Sequence, residues 1–270
     1  MDFSLVALSR EDEEFQRQVR ADLAELVTDE VIQHDRQTGG ENFHEGLHLA
    51  LGERGYLAKD FHDEANGGFT AVQRRIWELE IGRVHAPPWF HWPTTMMVAK
   101  AVAKFADPDL VAELMPAVLS GHRRLCLGYT EPEGGSDVAT CKTRAVRDGD
   151  AWIINGSKMF TSNAHNAQYV FLITNTDPDA PKHKSLTMFL VPLDSPGVEI
   201  QGDPHGRRGS HQHHLLQRRP RRRQVSRRCG QRRLDGAAGR AQRRARHHRA
   251  RHRRPAEAGD DDRAHPAHRR

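Results

Sequence analysis

The sequence predicts an α+β protein: an all-helical N-terminal domain over residues 1–122, a β-sheet or barrel-like middle domain over 123–202, and a disordered Arg/His-rich tail over 203–270. Three observations carry this. As far as Val118, apolar residues recur every three or four positions, the period of one helix face. From Leu125 the period drops to two, the mark of a half-buried strand. After Gly202 the composition changes abruptly. Helices first and strands second imply two domains of different class.

In the helical part, Ser9 with Asp12 forms a capping box, and Phe15, Val19, Leu23 and Leu26 make the apolar stripe behind it. Gly39-Gly40 breaks the pattern. A second helix runs roughly from Phe43 to Arg54, with Phe43, Leu47 and Leu51 on one face. Thr70 with Gln73 caps a third, whose expected core face is Val72, Ile76 and Leu79 with the Arg83 stem or Val84; Pro87-Pro88 stops it. Pro93 opens a fourth helix through Met97, Ala101 and Phe105. Asp107-Pro108, an N-cap followed by proline at the first helical position, starts a fifth, which Pro116 should interrupt or end. The strand candidates are 125–129, 140–147, 151–155, 169–175 and 185–191, with a short 198–200; Asp148-Gly149-Asp150 marks a tight turn between two of them.

Net charge must be read by region. The whole chain carries +5, but 22 of its 41 Lys and Arg lie after Gly202, all of them Arg, against six Asp or Glu there. The tail is therefore +16 and the first 202 residues −11, an acidic body with a basic end. Residues 203–270 contain no Lys, Ile, Phe, Tyr, Trp, Met, Asn or Thr. Such a segment buries too little apolar area to offset the entropy of ordering. Cys126, Cys141 and Cys229 show no metal spacing and read as unreactive thiols in a reducing compartment. No metal site is expected. There is no run of 18 apolar residues and no basic-then-apolar leader, so the expectation is a cytoplasmic protein without a membrane span.

Two stretches carry chemistry. Leu127 to Asp137 leaves a short apolar strand into an acidic, hydroxyl-bearing, glycine-containing loop. Trp152 to Asn163 again places small polar residues at a strand end. In both, the backbone can approach a flat or phosphorylated ligand closely. Thr130 and Ser136 can hydrogen-bond it, and Gly134-Gly135 permits an anion-binding turn. Glu131 and Asp137 repel phosphate; they read either as turn and cap architecture or, for Glu131, as a general acid or base. Phe160, flanked by Thr161, Ser162 and Asn163, reads either as a stacking face or as a half-buried strand residue. Spacing alone leaves these alternatives open.

The two stretches resemble known motifs. Leu127-Gly128-Tyr129-Thr130-Glu131-Pro132-Glu133-Gly134-Gly135-Ser136-Asp137 closely resembles the flavin-binding signature of the acyl-CoA dehydrogenase family, and Trp152 to Ala164 resembles that family's second flavin segment. The order, the separation, the five preceding helices and the following strands match the family's N-terminal and middle domains over about residues 9–202. The resemblance implies FAD as cofactor, lined by Leu127, Gly128, Tyr129, Thr130, Gly134, Gly135 and Ser136, with Thr130 at the pyrimidine edge of the isoalloxazine. It implies that Ser136 also touches the CoA moiety of the substrate, and that Phe160, Thr161 and Ser162 cover the flavin. Phe160 stands where Trp is the commoner residue and Ser162 where Thr is; both keep the aromatic face and the hydroxyl.

The implied reaction is α,β-dehydrogenation of an acyl-CoA thioester, with a glutamate taking the α-proton and the β-hydride passing to flavin N5. The implied partners are an acyl-CoA substrate, an electron-transfer flavoprotein as acceptor, and tetrameric assembly. The family's glutamate belongs to a C-terminal helical domain, and no residue here corresponds to it, so no catalytic residue is assigned and the chain is expected to be inactive. Residues after about Gly202, rich in amino acids with GC-rich codons, read as translation of a shifted frame. The alternative is a non-catalytic fragment whose arginines bind nucleic acid or another polyanion through charge alone; with no aromatics for stacking and no Lys, nucleic acid is disfavoured. The residues near Trp92 to Met97 are expected to help shape the acyl pocket.

Overall fold

Among the described residues, seven helices come first: α1 (Arg10–Leu26), α2 (Asp29–Gln37), α3 (Glu45–Glu53), α4 (Tyr56–Phe61), α5 (Ala71–Arg83), α6 (His91–Phe105) and α7 (Pro108–Leu119). Eight described strands follow: β1 (Leu125–Gly128), β2 (Arg144–Asp148), β3 (Ala151–Lys158), β4 (Tyr169–Asn175), β5 (Leu186–Pro192), β6 (Val198–Gln201), β7 (His214–Gln217) and β8 (Arg227–Arg228). The computed structural model describes residues 7–37, 43–84, 91–134, 137–201, 214–217 and 227–228. All belong to one compact unit, Met1–Gln231.

The cap signals do their work. The Thr70 side chain accepts from Gln73 N while the Gln73 side chain returns to the Thr70 amide, a full capping box on α5. Asp107 caps α7 with Pro108 behind it. At α1 the Ser9 hydroxyl accepts from the Asp12 amide, but the Asp12 carboxylate takes the Ser9 hydroxyl rather than its N–H, so the box is one-sided. Pro116 does not end α7. It sits in the last turn, where the helix runs on to Leu119 and its carbonyl accepts from Ser120 N at 3.1 Å. Helices α2 and α4 are additions to the five expected; both are short, and neither shows a long apolar stripe.

The buried face of α5 differs from the expected one. Ile76, Trp77, Glu80 and Ile81 are buried, while Val72 and Leu79 are 42% and 48% exposed. Trp77 decides the rotation: its ring stacks on Tyr56, centroids 4.5 Å apart, and packs near Phe69.

The strands form one sheet in the order β6-β7-β3-β2-β4-β5-β8, with β1 parallel to β4. Alternation along β4 explains how the sheet sits. Phe171 joins the helical core with Leu125 and Leu190, whereas Val170 and Leu172 enter a second core with Cys126, Ala145, Ile154 and Phe189. One face of β4 thus packs on the helices, and the other lines a second core shared by residues of β1, β2, β3 and β5. Thr95 of α6 ties the layers together: its hydroxyl meets the Leu125 amide at 3.1 Å and the Leu125 carbonyl at 3.3 Å.

The sheet reaches past residue 202, where composition placed its end. His214–Gln217 inserts between β6 and β3, with Gly156 opposite Gln217 and Lys158 opposite Leu215. Arg227–Arg228 pairs with Phe189 and Leu190 of β5. A short strand needs only two available backbone edges, and β3 and β6 provide them for a segment holding two of the tail's few aliphatics. The rest of 203–270 lies outside the described residues. Among the described residues no helix is long and apolar enough to cross a membrane.

Candidate functional site

The two chemistry-bearing stretches meet at adjoining strand ends. After β1 the chain passes through Tyr129 and Thr130 to Glu131; after β3 it passes through Met159 to Phe160. The Met159 amide donates to the Thr130 carbonyl at 2.9 Å. The Lys158 ammonium donates to the Tyr129 carbonyl at 3.2 Å and to Glu131 Oε1 at 2.8 Å.

Glu131 is architecture. It is buried, and its carboxylate accepts from the amides of Thr143 and Lys142 at 2.8 and 2.6 Å, from Lys158, and from the Cys141 thiol at 3.1 Å. Burial alone would raise its pKa; the Lys158 ammonium and the two amides outweigh this and hold it at about 2. A carboxylate whose oxygens already accept from four donors is a poor general base, which favours the turn-architecture alternative. Asp137 is a cap: its side chain accepts from the Ala139 amide and pairs with Lys182. Lys182 first and then that amide hold its pKa below the ordinary value.

The expected cofactor residues divide by role. Leu127 is half-buried and packs on the helical core. Gly128 is needed for packing: a Cβ there would lie 2.8 Å from Leu172 Cδ1 and 2.9 Å from Val170 Cγ2. Tyr129 is 36% and Phe160 45% exposed, two partly exposed aromatic side chains at adjoining strand ends. Thr130 and Gly134 are half-buried, and Gly134 N closes a turn onto the Glu131 carbonyl at 3.0 Å. Gly135 and Ser136 lie outside the described residues. Thr161 is fully buried and Ser162 exposed.

The 160–163 turn is strained. Phe160 has φ 56° and Asn163 φ 61°, the left-handed region that a bulky side chain seldom adopts. Among the described residues, Thr161 Oγ1 and Asn163 Oδ1 are buried polar atoms with no hydrogen-bond partner. Buried polar atoms are ordinarily satisfied, so this turn has hydrogen-bonding capacity left for a ligand. Partly exposed aromatic side chains, two strand ends joined by the Met159 N–Thr130 O bond, and unsatisfied hydroxyl and amide oxygens fit a flat, polar-edged cofactor.

The sequence alone gives Lys158 and Cys141 no place in the site. The available signal was a Lys and a Glu at the ends of strands that must converge. Cys126 and Cys141 are buried free thiols, as expected; burial pushes Cys126 up to about 12. Cys229 lies outside the described residues. No cluster able to hold a metal occurs among the described residues. The stretch from Trp92 to Met97 serves mainly the core: Trp92 is 1% exposed with its indole N–H on Asp60 at 2.7 Å, and only Met97 and Pro93 are exposed.

Known proteins resemble this chain over both its helical and its sheet parts. The family model described as acyl-CoA dehydrogenase, N-terminal domain, matches residues 9–122, and that described as acyl-CoA dehydrogenase, middle domain, matches 126–218. The second match includes β7. The chain is 32% identical over 194 residues to the acyl-CoA dehydrogenase FadE29 of Mycobacterium tuberculosis, covering 71% of this chain and 49% of that protein. Among solved structures it resembles the ChsE4–ChsE5 complex from Mycobacterium tuberculosis (TM-score 0.70, 25% identity, 90% of this chain and 61% of that one). It also resembles the steroid ACAD Tcur3481–Tcur3483 (TM-score 0.70, 30% identity, 86% and 59%). The chain spans about half the length of the relatives it matches.

Proposed function

Since the chain belongs to the acyl-CoA dehydrogenase family, a family of enzymes, we propose that it is the FAD-binding part of an acyl-CoA dehydrogenase-type oxidoreductase. The observation that carries this is the junction of the two stretches: Thr130, Phe160 and the unsatisfied Thr161 hydroxyl are held on adjoining strand ends by Met159 N–Thr130 O and the Lys158–Glu131 pair. When bound, FAD supplies an acceptor for the β-hydride of an acyl-CoA thioester. Thr130 and Gly134 would offer it backbone groups, Tyr129 and Phe160 aromatic side chains, and Thr161 and Ser162 hydroxyls. The family's flavin signature assigns FAD contacts to Gly135 and Ser136 as well, and a CoA contact to Ser136.

Proton abstraction from the substrate falls to neither carboxylate of the cradle, because Glu131 is locked by Lys158 and Asp137 caps a turn. The 270-residue chain alone therefore binds flavin without turning over. In the working assembly the base comes from a carboxylate outside the cradle, the partners are further subunits of the same family, and an electron-transfer flavoprotein receives the electrons. The 30% identity to a steroid ACAD makes steroid side-chain thioesters the first acyl-CoA substrates to assay, ahead of fatty and branched-chain ones.

The test is purification of the full chain, its visible absorption spectrum, and acyl-CoA-dependent dye reduction. A flavin band without turnover is expected. Absence of flavin after incubation with FAD contradicts the binding role, and turnover contradicts the assignment of the base.

A further inference from the structure

We infer that Lys158 and Glu131 are positioning residues for the cofactor: their buried ion pair fixes the spacing between the Tyr129–Glu131 loop and the Phe160–Asn163 turn. This rests on the FAD-binding reading above. Lys158 is 1% exposed, and its ammonium contacts the Tyr129 carbonyl, Glu131 Oε1 and the Cys141 sulfur at 3.2, 2.8 and 3.4 Å. Glu131 in turn takes the amides of Lys142 and Thr143, which enter β2. One ammonium thus binds the exit of β1, the approach to β2 and the end of β3 at a single point.

Stability alone does not explain such a pair. Desolvating both charges offsets most of their attraction, and apolar residues of similar volume in the same place are often neutral or stabilising. What they would not supply is direction. The ammonium aims at a carbonyl and a carboxylate of the loop, and two residues beyond it stands Phe160 in its left-handed conformation. The loop carries Thr130 one residue before Glu131, with its carbonyl on Met159 N. Both halves of the cradle are one or two residues from the pair, so a cofactor spanning them meets a preformed gap and binds with less ordering of its site.

The experiment compares the full chain with the double variant Glu131→Gln/Lys158→Met, which removes both charges and leaves no lone buried ion. Lys158→Arg is a second variant that keeps the charge and tests rescue. The probes are FAD titration by flavin fluorescence and amide hydrogen exchange of peptides covering 129–134 and 158–163. In the folded double variant, FAD affinity is expected to fall at least about tenfold and exchange in those two peptides to rise, with the β4–β5 peptides unchanged; Lys158→Arg recovers part of both. Unchanged affinity or unchanged exchange in a folded double variant overturns the inference. Failure of the unsubstituted chain to bind FAD instead overturns the parent reading, and exchange at the two peptides still decides whether the pair holds the segments together. A double variant that fails to fold while Lys158→Arg folds and binds as tightly as the original overturns it as well, since the pair is then needed for folding rather than for geometry.

Discussion

Each half of the molecule buries a glutamate, and the two are held in opposite ways. In the helical half, Glu80 of α5 is 3% exposed and is met by Gln16 and Arg20 of α1 and by Arg83 of its own helix, at 2.8, 2.8 and 3.2 Å. Those arginine side chains are about half exposed or more. A cavity of about 240 Å³ opens beside them, lined also by Leu23 and Val84. In the sheet half, Glu131 is met by an ammonium that is itself almost wholly buried. Both carboxylates lie below their ordinary pKa, Glu80 chiefly through its bond to Arg20 and Glu131 through Lys158 and amides that overcome its burial. The two acids serve different tasks. Glu80 joins two helices through partners that water can replace, while Glu131 joins three segments through a partner that water cannot reach.

The widest separation between the two comes from removing one partner. Lys158→Met leaves Glu131 buried without its cation and is expected to destabilise the chain by about 3–5 kcal/mol, read as the midpoint of chemical unfolding. Arg20→Met, by contrast, leaves Gln16 and Arg83 on Glu80 with water able to enter, and its shift in the same midpoint is expected to be much smaller. Equal shifts would erase the distinction drawn between the two sites.

Acid separates the halves by a different route. His48 of α3 is fully buried with neither ring nitrogen hydrogen-bonded, and burial, then the nearby Arg124, push it down to about 4. Its folded pKa lies below its ordinary 6.5, so between these values only the unfolded chain takes the proton. Stability is then expected to fall as pH drops from 6.5 towards 4, by on the order of 3 kcal/mol in all. Glu131 acts lower: its stabilisation is complete above about 4.5 and is lost as pH falls towards 2. His48→Leu should flatten the upper window and leave the lower one, while Glu131→Gln should do the reverse. Unfolding midpoints measured across pH in both variants check this.

A smaller and more local effect is expected at the far edge of the sheet. A chain ending at residue 218 keeps β7, and one ending at 202 loses the ladder opposite Gly156–Lys158. Amide exchange at those residues should rise in the shorter chain only, with β4–β5 unaffected.

Much of the fold is legible in the sequence because its signals are local. Thr70 with Gln73 and Asp107-Pro108 announce helix starts within four residues, and the change of period at Leu125 announces the sheet. What was not legible depends on residues far apart. The face of α5 is turned by Trp77 finding Tyr56, and Glu80 is buried because Gln16, sixty-four residues earlier, reaches it. The cradle was readable as two pieces, yet the role of Glu131 required Lys158, twenty-seven residues on. β7 was hidden by composition, since an arginine-rich tail gives no warning that four of its residues complete a ladder.

The proposed function makes the two strand ends one flavin site. Titrating the full chain and its Phe160→Ala variant with FAD, followed by quenching of flavin fluorescence, tests it most directly. One saturable site in the full chain is predicted, with affinity at least about tenfold weaker in the variant, in keeping with loss of an aromatic contact worth on the order of 1.5 kcal/mol. No saturable binding, or binding indifferent to Phe160, would contradict it.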